Sequence, residues 1–112
     1  MSCDLDADPT SKLRTALSAS RAPTAIVANH DELASRALRG LVREGLWVPD
    51  DVAIMGFDDG PLAEGLGLTT VRQPFEESGR AALDLLPGMI AGTGAAVGRV
   101  DLLPSLVVRG ST

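Results

Sequence analysis

Two short apolar runs without polar interruption, Thr24 to Ala28 (Thr-Ala-Ile-Val-Ala) and Val52 to Phe57 (Val-Ala-Ile-Met-Gly-Phe), flank a segment with a different rhythm. In that segment Leu33, Ala34, Ala37, Leu38, Leu41 and Val42 recur at spacings of three and four. Unbroken apolar runs suit strands of a parallel sheet covered on both faces. Recurrence at three and four suits an amphipathic helix. Strand, helix and strand in that order make a βαβ unit, whose crossover is right-handed as a rule. Asn29 is placed to cap the helix, with Glu32 three residues on to complete a capping box. Gly45 stands where a left-handed C-terminal cap is wanted, and Leu46 can pack back on the last turn.

Around this unit the pattern is shorter. Leu13, Ala16 and Leu17 give one stripe to a helix over Pro9 to Ser20, closed by Arg21-Ala22-Pro23 because the residue before proline avoids helical dihedrals. Pro49-Asp50-Asp51 reads as a turn, Pro61 to Gly67 as a loop and Thr69 to Arg72 as an extended piece. Pro74 opens a helix whose apolar face comes from Phe75, Ala82, Leu83 and Leu86, with Glu76 and Glu77 in its dipole-favoured first turn. Pro87 predicts an end or kink near Leu86. Gly92 to Gly98 reads as a flexible loop, and Arg99 to Arg109 as one or two short strands around Pro104. Met1 to Asp8 is polar and acidic and reads as a flexible N-terminus.

Composition narrows the chemistry. The 112 residues suit one compact domain, and with 3% aromatics its core has to be built from Leu, Val, Ile and Ala. A net charge of −5, with no run of Lys or Arg, disfavours nucleic-acid binding by this chain itself. One cysteine and one histidine exclude the usual zinc clusters and an intrachain disulfide. Neither a secretory signal nor a membrane-length apolar run is present, so a cytoplasmic protein is expected.

In open α/β sheets, ligands sit beyond the carboxyl ends of the parallel strands. Two such ends carry polar clusters here, Asn29-His30-Asp31 and Asp58-Asp59. If the strands are neighbours, the clusters face one crevice, where carboxylates and amides can grip the hydroxyls of a small polyhydroxylated ligand. Each residue also has a plainer reading. Asn29 or Asp31 can simply cap the helix, Asp58 and Asp59 can be turn residues before Gly60-Pro61, and His30 can be solvated. Trp47 reads as a packing residue and Cys3 as inert tail. The glycines fit neither a dinucleotide fingerprint nor a phosphate loop. Adjacent carboxylates on an extended strand point to opposite faces, so Asp58 and Asp59 do not make a shared catalytic pair. No serine lies in a nucleophile elbow, and a small hydrolase using Asp58 is the least favoured reading.

Five motifs stand in order and at fitting spacings: Val-Ala-Asn-His-Asp at 27–31, Gly-Leu-Trp-Val-Pro-Asp-Asp-Val at 45–52, Gly-Phe-Asp-Asp at 56–59, Leu-Thr-Thr-Val-Arg-Gln-Pro at 68–74 and Leu-Val-Val-Arg-Gly-Ser-Thr at 106–112. Together they closely resemble the C-terminal part of LacI/GalR-type transcriptional regulators, over roughly Thr10 to Thr112. The resemblance implies an α/β, Rossmann-like fold with a partly parallel sheet flanked by helices, as a fragment of a periplasmic-binding-protein-like type I sensor core. Residues 1–8 would be a flexible tail. Residues 9–112 would be a partial sugar-binding and dimerisation domain, made of C-terminal-subdomain elements plus a crossover helix over 74–91. On this reading the helix-turn-helix head that reads operator DNA in such regulators would not be among these 112 residues.

Carried over by position, the resemblance implies ligand contacts from Asp58, Asp31, His30, Gln73 and Phe75. It implies dimer contacts from Ser35 and Leu66, in the helix Glu32 to Glu44 and the loop Pro61 to Gly67. His30 stands where the family usually has asparagine, and an imidazole cannot offer an amide's acceptor and two donors together. Pro87 also departs from the family's unbroken helix. The expected role is sensing of a small-molecule effector, a sugar or sugar-like ligand, and homodimerisation within a regulator that meets operator DNA only through its DNA-binding head, with no enzyme activity, cofactor, metal or membrane. The second reading is a ligand-independent dimerisation module.

Overall fold

The computed structural model describes residues 9–92 and 99–112. The expected flexible N-terminus, and the loop beyond Gly92, lie outside the described residues. The chain divides into two compact units, Met1–Arg72 with Leu106–Thr112, and Gln73–Ser105.

The first unit begins with α1 (Thr10–Leu17), shorter than Pro9 to Ser20, with Pro9 at its N-cap and Leu13 buried. The βαβ unit follows as β1 (Ala25–Val27), α2 (Asp31–Arg43) and β2 (Ala53–Met55). β1 and β2 pair in parallel, with Ala25 opposite Ala53, Ile26 opposite Ile54 and Val27 opposite Met55. The strands are shorter than their apolar runs, although sheet bonds reach the runs' outer residues: Ala53 N–H donates to Thr24 O at 2.9 Å and Ala28 N–H to Met55 O at 2.8 Å. The expectation that both strands are covered on both faces fails for β1. Val27 is 73% exposed, whereas Ile54 on β2 is fully buried. Among the described residues, helices cover one face of this pair, so the alternate side chains of β1 are left outside.

The core gathers Leu13, Ala28, Ala34, Ala37, Ile54, Ala63 and Leu68, with Ile26, Leu33, Leu38 and Val48 packed against it. It contains no aromatic ring, as the composition required. α2 packs on α1, on β2 and on α3 (Pro61–Leu66). An Arg14–Glu44 ion pair joins α1 to the end of α2. α2 closes as expected: Gly45 takes φ +78°, Leu46 N–H donates to Leu41 O and Gly45 N–H to Val42 O, both at 3.0 Å. This double closure satisfies carbonyls that a helix end would otherwise orphan.

Two expectations are corrected here. The N-cap of α2 is His30 and not Asn29: His30 is extended and its side chain accepts from Leu33 N–H. Glu32 pairs with Arg36 one turn on rather than closing a capping box. Pro61 to Gly67 is not a loop but α3, closed by Gly67 at φ +62° with Leu68 N–H donating to Ala63 O at 2.9 Å. Proline at the first helical position and glycine just past the last bracket this helix in the sequence.

Beyond α3 the chain runs into β3 (Thr70–Arg72), which pairs with β4 (Ser105–Val107). β4 is the one strand described over Arg99 to Arg109, beginning after Pro104. Parallel bridges from Met55 to Thr69 and from Asp58 to Arg72 carry the sheet from the end of β2 to β3. The C-terminal residues then clip the sheet. Ser111 Oγ donates to Ile54 O at 2.6 Å and accepts from Thr69 N–H at 2.8 Å, while Ile54 N–H donates to Ser111 O at 2.8 Å.

The second unit is built on α4 (Phe75–Ile90), none of whose residues is buried. α4 passes through Pro87 instead of ending near Leu86. Proline removes only its own bond to the preceding turn, and Pro87 lies in the last turn, where few bonds remain to be disturbed. Its carbonyl still accepts from Ala91 N–H at 3.0 Å.

Candidate functional site

The turn after β2 shapes the site. Asp58 and Asp59 both take positive φ, +104° and +55°, which is uncommon for residues with a side chain. Aspartate tolerates it better than most, but such backbone persists only where its surroundings hold it. The holding groups are evident. Asp58 N–H donates to Val71 O at 2.9 Å, and Asp59 N–H to Thr70 Oγ1 at 3.3 Å. Arg109 Nη2 and Arg72 Nε each donate to the Asp59 carboxylate at 2.7 Å. These two guanidinium groups, Arg109 first, hold the Asp59 carboxyl below its ordinary range. Arg109 also donates to Leu68 O at 2.8 Å.

Asp31 completes the clamp from α2. Its Oδ1 accepts from Thr70 Oγ1 at 2.7 Å and its Oδ2 from Gly60 N–H at 2.8 Å. Its own N–H donates to Phe57 O at 2.9 Å. The residue is buried, and the first turn of a helix favours a carboxylate there. Asp31 therefore ties α2, β3 and the Asp58–Gly60 turn together.

The clamped turn opens a recess of about 420 Å³ lined by His30, Asp31, Glu32, Asp58, Gly60, Pro61 and Leu62. It lies at the carboxyl ends of β1 and β2, so the two polar clusters do converge. Within it His30 Nδ1 accepts from Leu33 N–H at 3.1 Å. A nitrogen that accepts carries no proton, so the neutral ring keeps its proton on Nε2. That Nε2 is buried and has no hydrogen-bond partner among the described residues.

Gln73 and Phe75 belong to the second unit, at the entry to α4, where Phe75 N–H donates to Gln73 O at 2.9 Å and the Phe75 ring is largely exposed. Ser35 and Leu66, expected at a dimer surface, line one groove of about 400 Å³ between α2 and α3 with Glu32, Arg39 and Leu62. Ser35 is buried, its Oγ donating to Glu32 O at 2.7 Å, and Leu66 is 42% exposed. Sequence reasoning missed Thr70, Arg72 and Arg109 as builders of the turn. Their partners lie 11 to 50 positions away, which no local pattern reveals. No cluster of three or more metal-ligating side chains occurs among the described residues.

The periplasmic binding protein-like domain model matches residues 4–112. The chain is 45% identical over 91 residues to the transcriptional regulator MalR of Streptomyces coelicolor, covering 80% of this chain and 26% of that protein. It is 42% identical over 93 residues to the arabinose metabolism transcriptional repressor of Geobacillus stearothermophilus, again 80% and 26%. Among solved structures, a LacI-family regulatory protein from Chloroflexus aggregans superposes with TM-score 0.82 at 35% identity, covering 91% of this chain and 38% of that one. The regulator CelR bound to cellobiose gives TM-score 0.80 at 35% identity, with 92% and 32% covered. A LacI-family regulator from Arthrobacter sp. FB24 bound to lactose gives 0.75 at 34% identity, with 92% and 38% covered. The chain spans about a quarter of the length of the curated relatives it matches.

Proposed function

This chain belongs to the periplasmic-binding-protein-like domain family of LacI-type transcriptional regulators, and on that premise we propose that it is the effector-sensing and dimerisation portion of such a regulator. The effector is a sugar or sugar-like molecule, held in the recess at the carboxyl ends of β1 and β2. The observation that carries this reading is the convergence of His30 and Asp58 in one recess, beside a strained turn that the chain holds with an ion-pair network. Asp58 is the carboxylate assigned to sugar hydroxyls, and Asp31 positions the turn that presents it. The residues 9–112 serve as a partial sensing domain, and the chain acts by binding rather than by catalysis, in the cytoplasm. Operator DNA is a partner only through a DNA-binding head, and sugar binding would alter operator affinity by coupling the two sites.

Titration of this chain calorimetrically with cellobiose, lactose, sucrose and arabinose tests the proposal. One of them should bind, and Asp58→Asn, which tolerates the same left-handed backbone, should weaken it at least tenfold with little change in melting temperature. Binding undiminished in Asp58→Asn would refute the assignment. The second reading, a ligand-independent dimerisation module, draws on the groove that brings Ser35 and Leu66 together. A dimer that binds none of the four sugars would favour it.

A further inference from the structure

We infer that the groove between α2 and α3 takes a second copy of this chain in antiparallel register, Glu32 meeting the partner's Arg39 and Arg39 meeting the partner's Glu32. The inference rests on the dimerisation proposed above and names the pairing that selects the partner.

The groove holds about 400 Å³ and is lined by Glu32, Ser35 and Arg39 of α2 and by Leu62 and Leu66 of α3. Its two walls differ. Leu62 and Leu66 are 43% and 42% exposed, an apolar strip that suits any apolar partner. Glu32 and Arg39 are exposed charges of opposite sign on the other wall. The charges, and not the leucines, therefore decide what fits.

The two charges stand seven residues apart, so two turns of helix put them on one face, about 10.5 Å apart along the axis. Ser35 lies between them, three positions after Glu32 and four before Arg39. It is buried, and its hydroxyl is spent on Glu32 O at 2.7 Å, so the middle of the row is low. A two-fold axis passing by Ser35 reverses the second α2 and sets each glutamate against an arginine. Parallel register would set glutamate against glutamate and arginine against arginine. A surface that matches this row has to offer a base and an acid at the same spacing with apolar residues beside them. The same groove turned end for end offers them, and a two-fold interface makes the contact twice. Arg36 Nη2 already donates to Glu32 Oε1 at 3.2 Å, and a carboxylate accepts from more than one guanidinium.

Sedimentation of the chain and of two charge reversals tests the pairing. Glu32→Lys and Arg39→Glu both change exposed side chains, and their circular dichroism should match the parent. Alone, each sets like charges together at both contacts, and its dimer dissociation constant should rise about tenfold or more. An equimolar mixture of the two variants restores opposite charges at both contacts and should sediment as a heterodimer about as tight as the parent. Both substitutions in one chain should restore the homodimer. Single variants that dimerise as the parent does overturn the pairing and leave dimerisation standing. So does a mixture that associates no better than its components. A parent chain that stays monomeric at the highest concentration reached overturns the dimerisation reading and this pairing with it.

Discussion

Asp31 and Thr70 lie 39 positions apart and share a hydrogen bond of 2.7 Å between two buried side chains. The bond fastens the first turn of α2 to the head of β3. Asp31's second oxygen, on Gly60 N–H, fastens both to the strained turn. Replacing Asp31 by alanine leaves the Thr70 hydroxyl and the Gly60 amide without their acceptor. Charged hydrogen bonds of this kind contribute about 1.5–3 kcal/mol each, and the loss of two that share one carboxylate should cost about 2–4 kcal/mol. The urea midpoint reads this directly. A midpoint unchanged from the parent chain would show that the clamp carries no stability.

The same carboxylate explains a glycine. A Cβ on Gly56 would stand 2.3 Å from Asp31 Oδ1 and 3.2 Å from Asp31 Cα, so both a side chain and a backbone would have to move. Gly56→Ala should destabilise by about 1–3 kcal/mol through overpacking. Gly65→Ala is the control. Its Cβ meets nothing within 4 Å, and alanine in a helix gains about 0.5–1 kcal/mol over glycine. Opposite shifts in melting temperature for the two variants are expected, and a fall of equal size in both would contradict the packing argument.

Asp59 gives the chain an acid limb. Its folded carboxyl is held below the ordinary range by hydrogen bonds from Arg109 and then Arg72. Between the folded and unfolded values the unfolded chain binds more protons, so stability rises with pH there. The contribution is present above the ordinary aspartate value of about 3.9 and is lost as the pH falls through the lower folded value. Asp59→Asn should flatten the acid fall in melting temperature while lowering stability near neutrality. An acid limb of unchanged steepness would remove Asp59 as its source.

The legible part of this fold is the part written locally. Leu33 to Val42 mark α2 because the apolar stripe repeats every turn, and Gly45 with Leu46 marks its end because that closure needs a particular residue at a particular place. The convergence of His30 with Asp58 also followed, from the parallel pairing of two apolar runs. The cap was misplaced by one residue because Asn29 and His30 can both accept, and the choice depends on which is extended at the helix start. α3 was missed because six residues are too few for a periodic stripe, though Pro61 and Gly67 bracket it. The network of Asp31, Asp59, Thr70, Arg72 and Arg109 was illegible for a different reason. Its bonds join positions 11 to 50 residues apart, and only the closed sheet brings them together.

Self-association is proposed through the groove between α2 and α3, and Leu66 is the residue to change there. It is 42% exposed at the end of α3, beside Leu62, so a charge at this position meets solvent in the separate chain and an apolar surface in a dimer. Burying an unpaired charge is far costlier than exposing one leucine. Leu66→Arg should therefore shift sedimentation from dimer to monomer while the far-ultraviolet spectrum stays that of the parent. Ser35 cannot serve the same test, because it is buried and bonded to Glu32 O, so a large residue there would disturb α2 itself. A Leu66→Arg chain that sediments as the parent dimer would move the association to another face, and the exposed α4 residues Leu83, Leu86 and Ile90 would be the next to change.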